Sequence, residues 1–340
     1  MNDIHFCKGG FMRTVFTIVM LSFVVCNVPS VFSVEFRINA MSPLSEKKTL
    51  ESMKQLKDQG VDLNAKTDYG DTKMHFAASC GYLEVMKWLK DQGADVNVKN
   101  SIGWTPMHSV AIDGHFEVMK WLIEQGVDVN VKTNDLDTPM HYAVCSVHLE
   151  VIKWLYGQGA DINAKNSSGW TPIIFALLHG RLEVIQWLQD QGADADVTDN
   201  YGGTSMHYAA MSDSLEVMKW LKDQGANVNA KANDGKTPMH SAASRGNLEA
   251  MKWLKNQGAE VNIKDNKGYT PMHSSVSYWS VSVELLKWLK DEGLDINAKT
   301  NDSETPLDVA YLKFEFPKYG PNMSEIIEWL KSNGAVTGKE

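Results

Sequence analysis

Between Leu83 and Asp91 the apolar residues fall at three- and four-residue spacing: Leu83, Val85, Met86 and Leu89, with Trp88 beside them. That spacing puts them on one stripe of a helix and leaves Glu84 and Lys87 as a solvated pair on its other side. Gly93 then supplies the left-handed residue that closes the helix. The pattern returns as VMKWLIEQGVDVNVK from Val118, VIKWLYGQGADINAK from Val151, VMKWLKDQGANVNAK from Val217 and AMKWLKNQGAEVNIK from Ala250. Trp88, Trp121, Trp154, Trp187, Trp220 and Trp253 lie 33 residues apart, Trp288 follows after 35 and Trp329 after 41. So fixed a period predicts a run of like helical modules, each adding core only to its neighbours.

A second motif keeps the same register: Thr105-Pro106-Met107-His108, Thr138-Pro139-Met140-His141, Thr237-Pro238-Met239-His240 and Thr270-Pro271-Met272-His273. Thr105 is placed to cap a helix, and Pro106 falls where a missing N–H costs nothing, so a first helix starts there and ends at Gly114. Ala94-Asp95-Val96-Asn97 leads from the second helix into a hairpin-like finger turning near Gly103. Modules then begin at Thr67, Asn100, Thr133, Asn166, Asp199, Ala232, Asp265 and Thr300.

The period of 33 together with the Thr-Pro-Met-His tetrapeptides resembles the ankyrin repeat. The resemblance implies an all-α repeat solenoid of helix-turn-helix units with β-hairpin fingers, about 60–70 Å long at the spacing of packed helices. It covers residues 46–336: a half-repeat N-terminal cap at 46–66 with Gln55 at the tryptophan position, full repeats over 67–299, and a C-terminal cap over 300–336 that opens on Thr305-Pro306-Leu307-Asp308. Residues 34–45 read as a linker and 337–340 as a tail. The family usually has leucine where this chain has tryptophan. Because a tryptophan buries roughly 150–250 Å², the indoles are expected to act as mortar between repeats.

Net charge is −9, from 33 basic and 42 acidic residues interleaved along every repeat, which argues against a nucleic-acid groove. At the N-terminus Lys8 and Arg13 precede an apolar run from about Val15 to Val28, the layout of a secretory signal. Cleavage is expected after Ser33, with Ser30 a second candidate, Met12 an alternative start and an uncleaved anchor the alternative fate. The expected location is therefore secreted or periplasmic, with membrane contact only through an uncleaved segment. Cys80 and Cys145 fall two repeats apart, beyond disulfide reach at roughly 8–10 Å per repeat, so no disulfide is expected.

Six histidines at 75, 108, 141, 207, 240 and 273 invite a metal or catalytic reading. Equivalent side chains in successive repeats stand roughly 8–10 Å apart, whereas zinc ligands must each reach the ion at about 2.0–2.1 Å. The resemblance instead implies that each histidine ties its finger to the next repeat by hydrogen bonds. No phosphate loop, nucleophile elbow, H-E-x-x-H or dinucleotide fingerprint is present, so no enzyme, metal or cofactor is expected.

Family partners usually dock on the finger tips and the exposed side of the first helix, so the resemblance implies another protein as partner of a monomeric chain. On that strip the candidate contacts are Tyr69, Ile102, Trp104, Trp170, Tyr201 and Tyr269 at the fingers, with Ile112, Leu178, Met211, Tyr278 and Trp279 at the first-helix ends. Three irregularities sharpen it: Thr171-Pro172-Ile173-Ile174 lacks the histidine and is expected to let Leu177 and Leu178 extend the apolar surface, Val147 and Asp213 replace a terminating glycine, and two extra residues enter around Tyr278-Trp279. Asn166, Asn301 and Asn322 head Asn-x-Ser sequons, relevant to a eukaryotic source only.

Overall fold

A computed structural model describes residues 45–146, 148–212, 214–277, 281–314 and 320–338. Val147, Asp213, Tyr278 and Trp279 lie outside the described residues, as does the N-terminal segment on which the expected signal falls. The described residues hold 17 helices and no strand, only an isolated bridge between Thr198 and Thr204. The fold class is therefore the all-α repeat architecture, and its fingers are tight turns rather than extended ladders.

The chain divides into two compact units after Phe175. In the first, α1 (Glu46–Asp58) precedes three helix pairs: α2 (Lys73–Ser79) with α3 (Leu83–Asp91), α4 (Pro106–Asp113) with α5 (Phe116–Glu124), and α6 (Pro139–Ala143) with α7 (Leu149–Gly157). The division falls within α8 (Pro172–Leu178). The second unit continues with α9 (Leu182–Asp190), α10 (Ser205–Met211), α11 (Leu215–Asp223), α12 (Pro238–Arg245), α13 (Leu248–Asn256), α14 (Pro271–Val276), α15 (Val283–Asp291), α16 (Pro306–Phe314) and α17 (Gly320–Ser332).

Within each unit first helices stack on first helices: α2 on α4 on α6, and α10 on α12 on α14 on α16. The apolar stripe read from the sequence is the core, since Met74, Met107, Met140, Met206, Met239 and Met272 of the first helices are buried, as are Val85, Met86 and Leu89 of α3. Glu84 and Lys87 pair on the outer face at 2.8 Å. Close approach fixes the glycine after α4: Gly114 has φ 72°, and a Cβ there would stand 2.3 Å from the His148 ring of the next repeat.

The tryptophans depart from the expectation. Of the eight at the repeated helix position Trp121 is buried, at 9% exposure, whereas Trp88, Trp154, Trp187, Trp220, Trp253, Trp288 and Trp329 are half-buried. Val85, Met86 and Leu89 take the centre of the stripe and leave the bulky indole at its margin. There it covers a neighbour's edge, as Trp154 does with the Phe116 ring of the preceding repeat, edge-on at 5.4 Å.

Candidate protein-interaction surface

Each finger but the sixth is closed by the first side chain of its repeat; in the sixth, headed by Ala232, Asp234 Oδ1 accepts the Lys236 N–H instead. Asn100 Oδ1 accepts the N–H groups of Ile102 (3.1 Å) and Trp104 (2.9 Å), and Asn166 does the same for Ser168 and Trp170. Asp199 and Asp265 serve repeats five and seven, whereas Thr67, Thr133 and Thr300 accept one N–H through their hydroxyls. Over the first four repeats two finger types thus alternate and interlock. Asn100 Nδ2 donates to Asp71 Oδ1 and Asn166 Nδ2 to Asp137 Oδ1, each at 2.8 Å, and the Tyr269 hydroxyl donates to Glu304 Oε2. Asn166 is consequently buried with both ends of its amide engaged, so the sequon it heads is closed to glycosylation in the folded chain.

The histidines hold one finger to the next within each unit. His108 Nδ1 accepts the Thr105 N–H at 3.1 Å and lies 2.9 Å from the Thr105 hydroxyl, closing a capping box. With Nδ1 an acceptor, Nε2 carries the proton and donates to the Asp137 carbonyl at 3.2 Å. His75 reaches the carbonyl of Trp104 in the same way, His141 that of Trp170, His207 that of Lys236, His240 that of Tyr269 and His273 that of Glu304. The same carbonyl also closes its own finger, as Trp104 O does for the Asn100 N–H. Burial holds these imidazoles neutral: it lowers His108 to about 3, His141 and His240 to about 4, and His75, His207 and His273 below their ordinary value. At the finger closed by Thr300 Asp308 replaces histidine. Its Oδ2 accepts the N–H of Thr305 and the N–H of Gly338, both at 2.7 Å, so a carboxylate receives a backbone N–H where elsewhere an imidazole N–H meets a finger carbonyl.

In the first unit an aromatic cluster runs beneath the fingers. Trp104 packs on Tyr142 with centroids 4.5 Å apart, and Phe175 meets Tyr142, His141 and Trp170 edge-on. The Trp104 indole N–H donates to Ser109 Oγ, and the Tyr142 hydroxyl donates to Asp137 Oδ2. Burial pushes the Asp137 carboxyl up to about 6, against the Asn166 and Tyr142 donors that favour its charged form.

These packings sort the candidate contacts. Tyr69 (56% exposed) and Ile102 (44%) stand free at their tips. Trp104, Ile112, Leu178, Tyr201, Met211 and Tyr269 are half-buried. Trp170 is a correction: it is wholly buried, at 0% exposure, because Phe175 and the closed finger enclose it. Leu177 is likewise buried rather than part of an enlarged apolar surface. Sequence reasoning missed Leu136, which is 43% exposed and has φ 66° at the fingertip position that Gly70, Gly103, Gly202, Gly235 and Gly268 hold elsewhere. The missing glycine in an otherwise fixed register was the signal.

Backbone bonds lock these tips rung to rung. The Ser101 N–H donates to Tyr69 O, the Asn134 N–H to Ile102 O and the Ser167 N–H to Asp135 O, at 2.9–3.0 Å. In the second unit Asn233, Asn266 and Asn301 repeat the rung onto Tyr201, Asp234 and Lys267. Among the described residues no group of His, Cys, Asp and Glu is placed to hold a metal ion, no helix is long and apolar enough to cross a membrane, and neither Cys80 nor Cys145 is in a disulfide.

Stacked helical repeats that present a row of pre-organised turns define an interaction scaffold. Family models described as ankyrin repeats (3 copies) match residues 92–166, 159–232 and 224–300, and one described as ankyrin repeats (many copies) matches 56–110, so the chain belongs to the ankyrin-repeat family. Such repeats generally act as non-enzymatic modules for binding other proteins. None of the curated proteins compared with the chain matches it.

Proposed function

We propose that this chain is a non-enzymatic scaffold that holds a partner protein against its finger and first-helix surface, outside the cytoplasm. The observation that carries the reading is the row of exposed Tyr69, Ile102 and Leu136 at three successive tips. The rungs fix the backbones of Tyr69, Ile102 and Asp135 beside Leu136, so an incoming protein meets apolar side chains on turns that are already ordered. Trp104 and Ile112, half-buried beside them, extend the contact toward the first helix. An interface of about 800 Å² per partner fits on three or four such repeats.

The test is affinity capture from the native compartment with the wild type and with a Tyr69→Ser, Ile102→Ser, Leu136→Gly variant of unchanged circular dichroism. A partner retained by the first and lost by the second supports the surface; equal retention by both places binding elsewhere. The proposed export rests on the apolar run Val15–Val28 behind Lys8 and Arg13. N-terminal sequencing of the mature protein is expected to begin at Val34, and a chain that retains its first residues in the cytoplasm overturns that part.

A further inference from the structure

We propose that Asn301 is the acceptor of an N-linked glycan, added in the secretory route of a eukaryotic cell. The inference rests on the export reading above and goes beyond it by naming the atom modified and its donor. Three Asn-x-Ser sequons occur, and an acceptor belongs in a turn at the surface of an exported protein. Asn166 does not meet that condition, being 4% exposed with both ends of its amide engaged. Asn322 lies within the helix α17 rather than in a turn. Asn301, Asp302 and Ser303 do meet it: all three are exposed, at the tip of the finger closed by Thr300.

The other tips show that the fold does not require this serine. Asn134, Asn200, Asn233 and Asn266 hold the place of Asn301 in their fingers, and two residues on stand Leu136, Gly202, Gly235 and Gly268, none of which completes a sequon. Ser303 has φ 63°, in the left-handed region that glycine enters without strain. Its hydroxyl bonds to no described residue. A strained residue that returns neither packing nor a hydrogen bond points to chemistry rather than folding. The finger also has room for the product. Asn301 Nδ2 donates one hydrogen to the Asn266 carbonyl at 3.0 Å, and the Asn301 backbone N–H donates to Lys267 O at 2.9 Å. Transfer uses the other amide hydrogen. Nδ2 attacks the anomeric carbon of an oligosaccharide carried on a polyisoprenyl pyrophosphate, and the new N–C bond forms as the sugar–phosphate bond breaks. The electron pair leaves with the lipid pyrophosphate, the amide proton leaves with it, and one N–H remains for the rung. At an earlier tip the carbonyls of Asn233 and Asp234 accept from Asn266 of the next. Among the described residues no later tip bonds to Asn301 or Asp302, so a glycan there displaces no rung.

The experiment expresses two forms in cultured animal cells: the full chain with its own N-terminus, and residues 34–340, the expected mature chain, behind a proven secretory signal. With the supplied signal, the secreted protein is expected to gain mobility on a gel when treated with peptide-N-glycosidase. Peptide mass mapping is expected to show Asn301 converted to aspartate by that enzyme. Ser303→Gly, which installs the residue most other tips carry, is expected to abolish the mobility shift. It is expected to do so without lowering the melting temperature of unglycosylated protein made in bacteria. Secreted protein that carries no sugar, a shift that survives Ser303→Gly, or sugar at Asn166 or Asn322 and not at Asn301 overturns the inference. A glycan at Asn301 behind the supplied signal, but none on the chain with its own N-terminus, upholds the acceptor site and overturns only the export reading.

Discussion

Repeats three and four open on the same Thr-Pro pair and then diverge, with His141 in one and Ile174 in the other. In repeat three the Thr138 hydroxyl lies 2.9 Å from His141 Nδ1, and the Thr138 N–H donates to the same nitrogen at 3.0 Å. In repeat four the Thr171 hydroxyl is buried with no hydrogen-bond partner. Ile174 fills the volume, at 0% exposure, without the chemistry. One position thus separates two tasks that most repeats combine: packing the first helix, which any apolar group performs, and satisfying the cap, which requires the imidazole. The chain's division into two units falls one residue beyond Ile174.

Acid should break the boxed repeats before anything else. Each imidazole is an acceptor at Nδ1, so protonation turns the box into opposed N–H groups. Their folded values lie below the ordinary 6.5, so the folded chain binds fewer protons than the unfolded one. The stability they contribute is complete above pH 6.5 and is lost as pH falls toward 4 and, for His108, 3. At pH 5 a box with a value near 4 has lost about 2 kcal/mol, from about 1.4 kcal/mol per pH unit. Urea titrations from pH 8 to 4 are expected to show a steep fall below 6.5. A flat profile down to pH 5 would contradict the neutral boxes.

The second largest effect comes from copying one repeat into the other. His141→Ile leaves the Thr138 N–H and hydroxyl without their acceptor, at about 1–3 kcal/mol for each buried group. A loss of about 2–4 kcal/mol in urea is expected, together with a shallower acid slope because one titrating group is gone. A loss without the change of slope would mean that His141 does not stay neutral.

Asp137 runs the opposite way, and so sharpens the acid profile. Its folded value, about 6, lies above the ordinary 3.8, so the folded chain holds the extra proton. Its burial therefore costs nothing below 3.8, and the cost grows as pH rises through 6. Asp137→Asn is expected to stabilise the chain by about 1–3 kcal/mol above pH 6 and to leave it unchanged near pH 4. The gain is read as the difference between the two proteins' melts at pH 8 and pH 4; equal differences at both would show the carboxylate to be as well solvated as in the unfolded chain.

The period of 33 was enough to place the helices and their threonine caps, because caps, glycines and apolar stripes are local chemistry repeated many times. Glu84 with Lys87 and the glycine after α4 followed from it, and the histidine bonds from the resemblance to the ankyrin repeat. What did not follow was burial at individual positions. Trp170 looks like a fingertip aromatic, yet its enclosure depends on Phe175, a contact between a finger and the helix behind it that no period encodes. The alternation of Thr-headed and Asn-headed fingers was visible in the letters, but its use, an amide of one finger on the carboxylate of its neighbour, needs their side chains in three dimensions.

The smallest effect tests the comparison from the side of repeat four. If the Thr171 hydroxyl is buried and unpaired, it contributes only its desolvation cost, and a methyl group of the same shape does better. Thr171→Val is expected to stabilise the chain by about 1 kcal/mol, whereas Thr138→Val, which removes a hydroxyl engaged with His141, is expected to destabilise it by about the same amount. Opposite signs from one substitution, made 33 residues apart, are what distinguishes an orphaned cap from a working one. Two losses of equal size in urea would show that Thr171 caps its helix after all, and that the histidine is dispensable to the box.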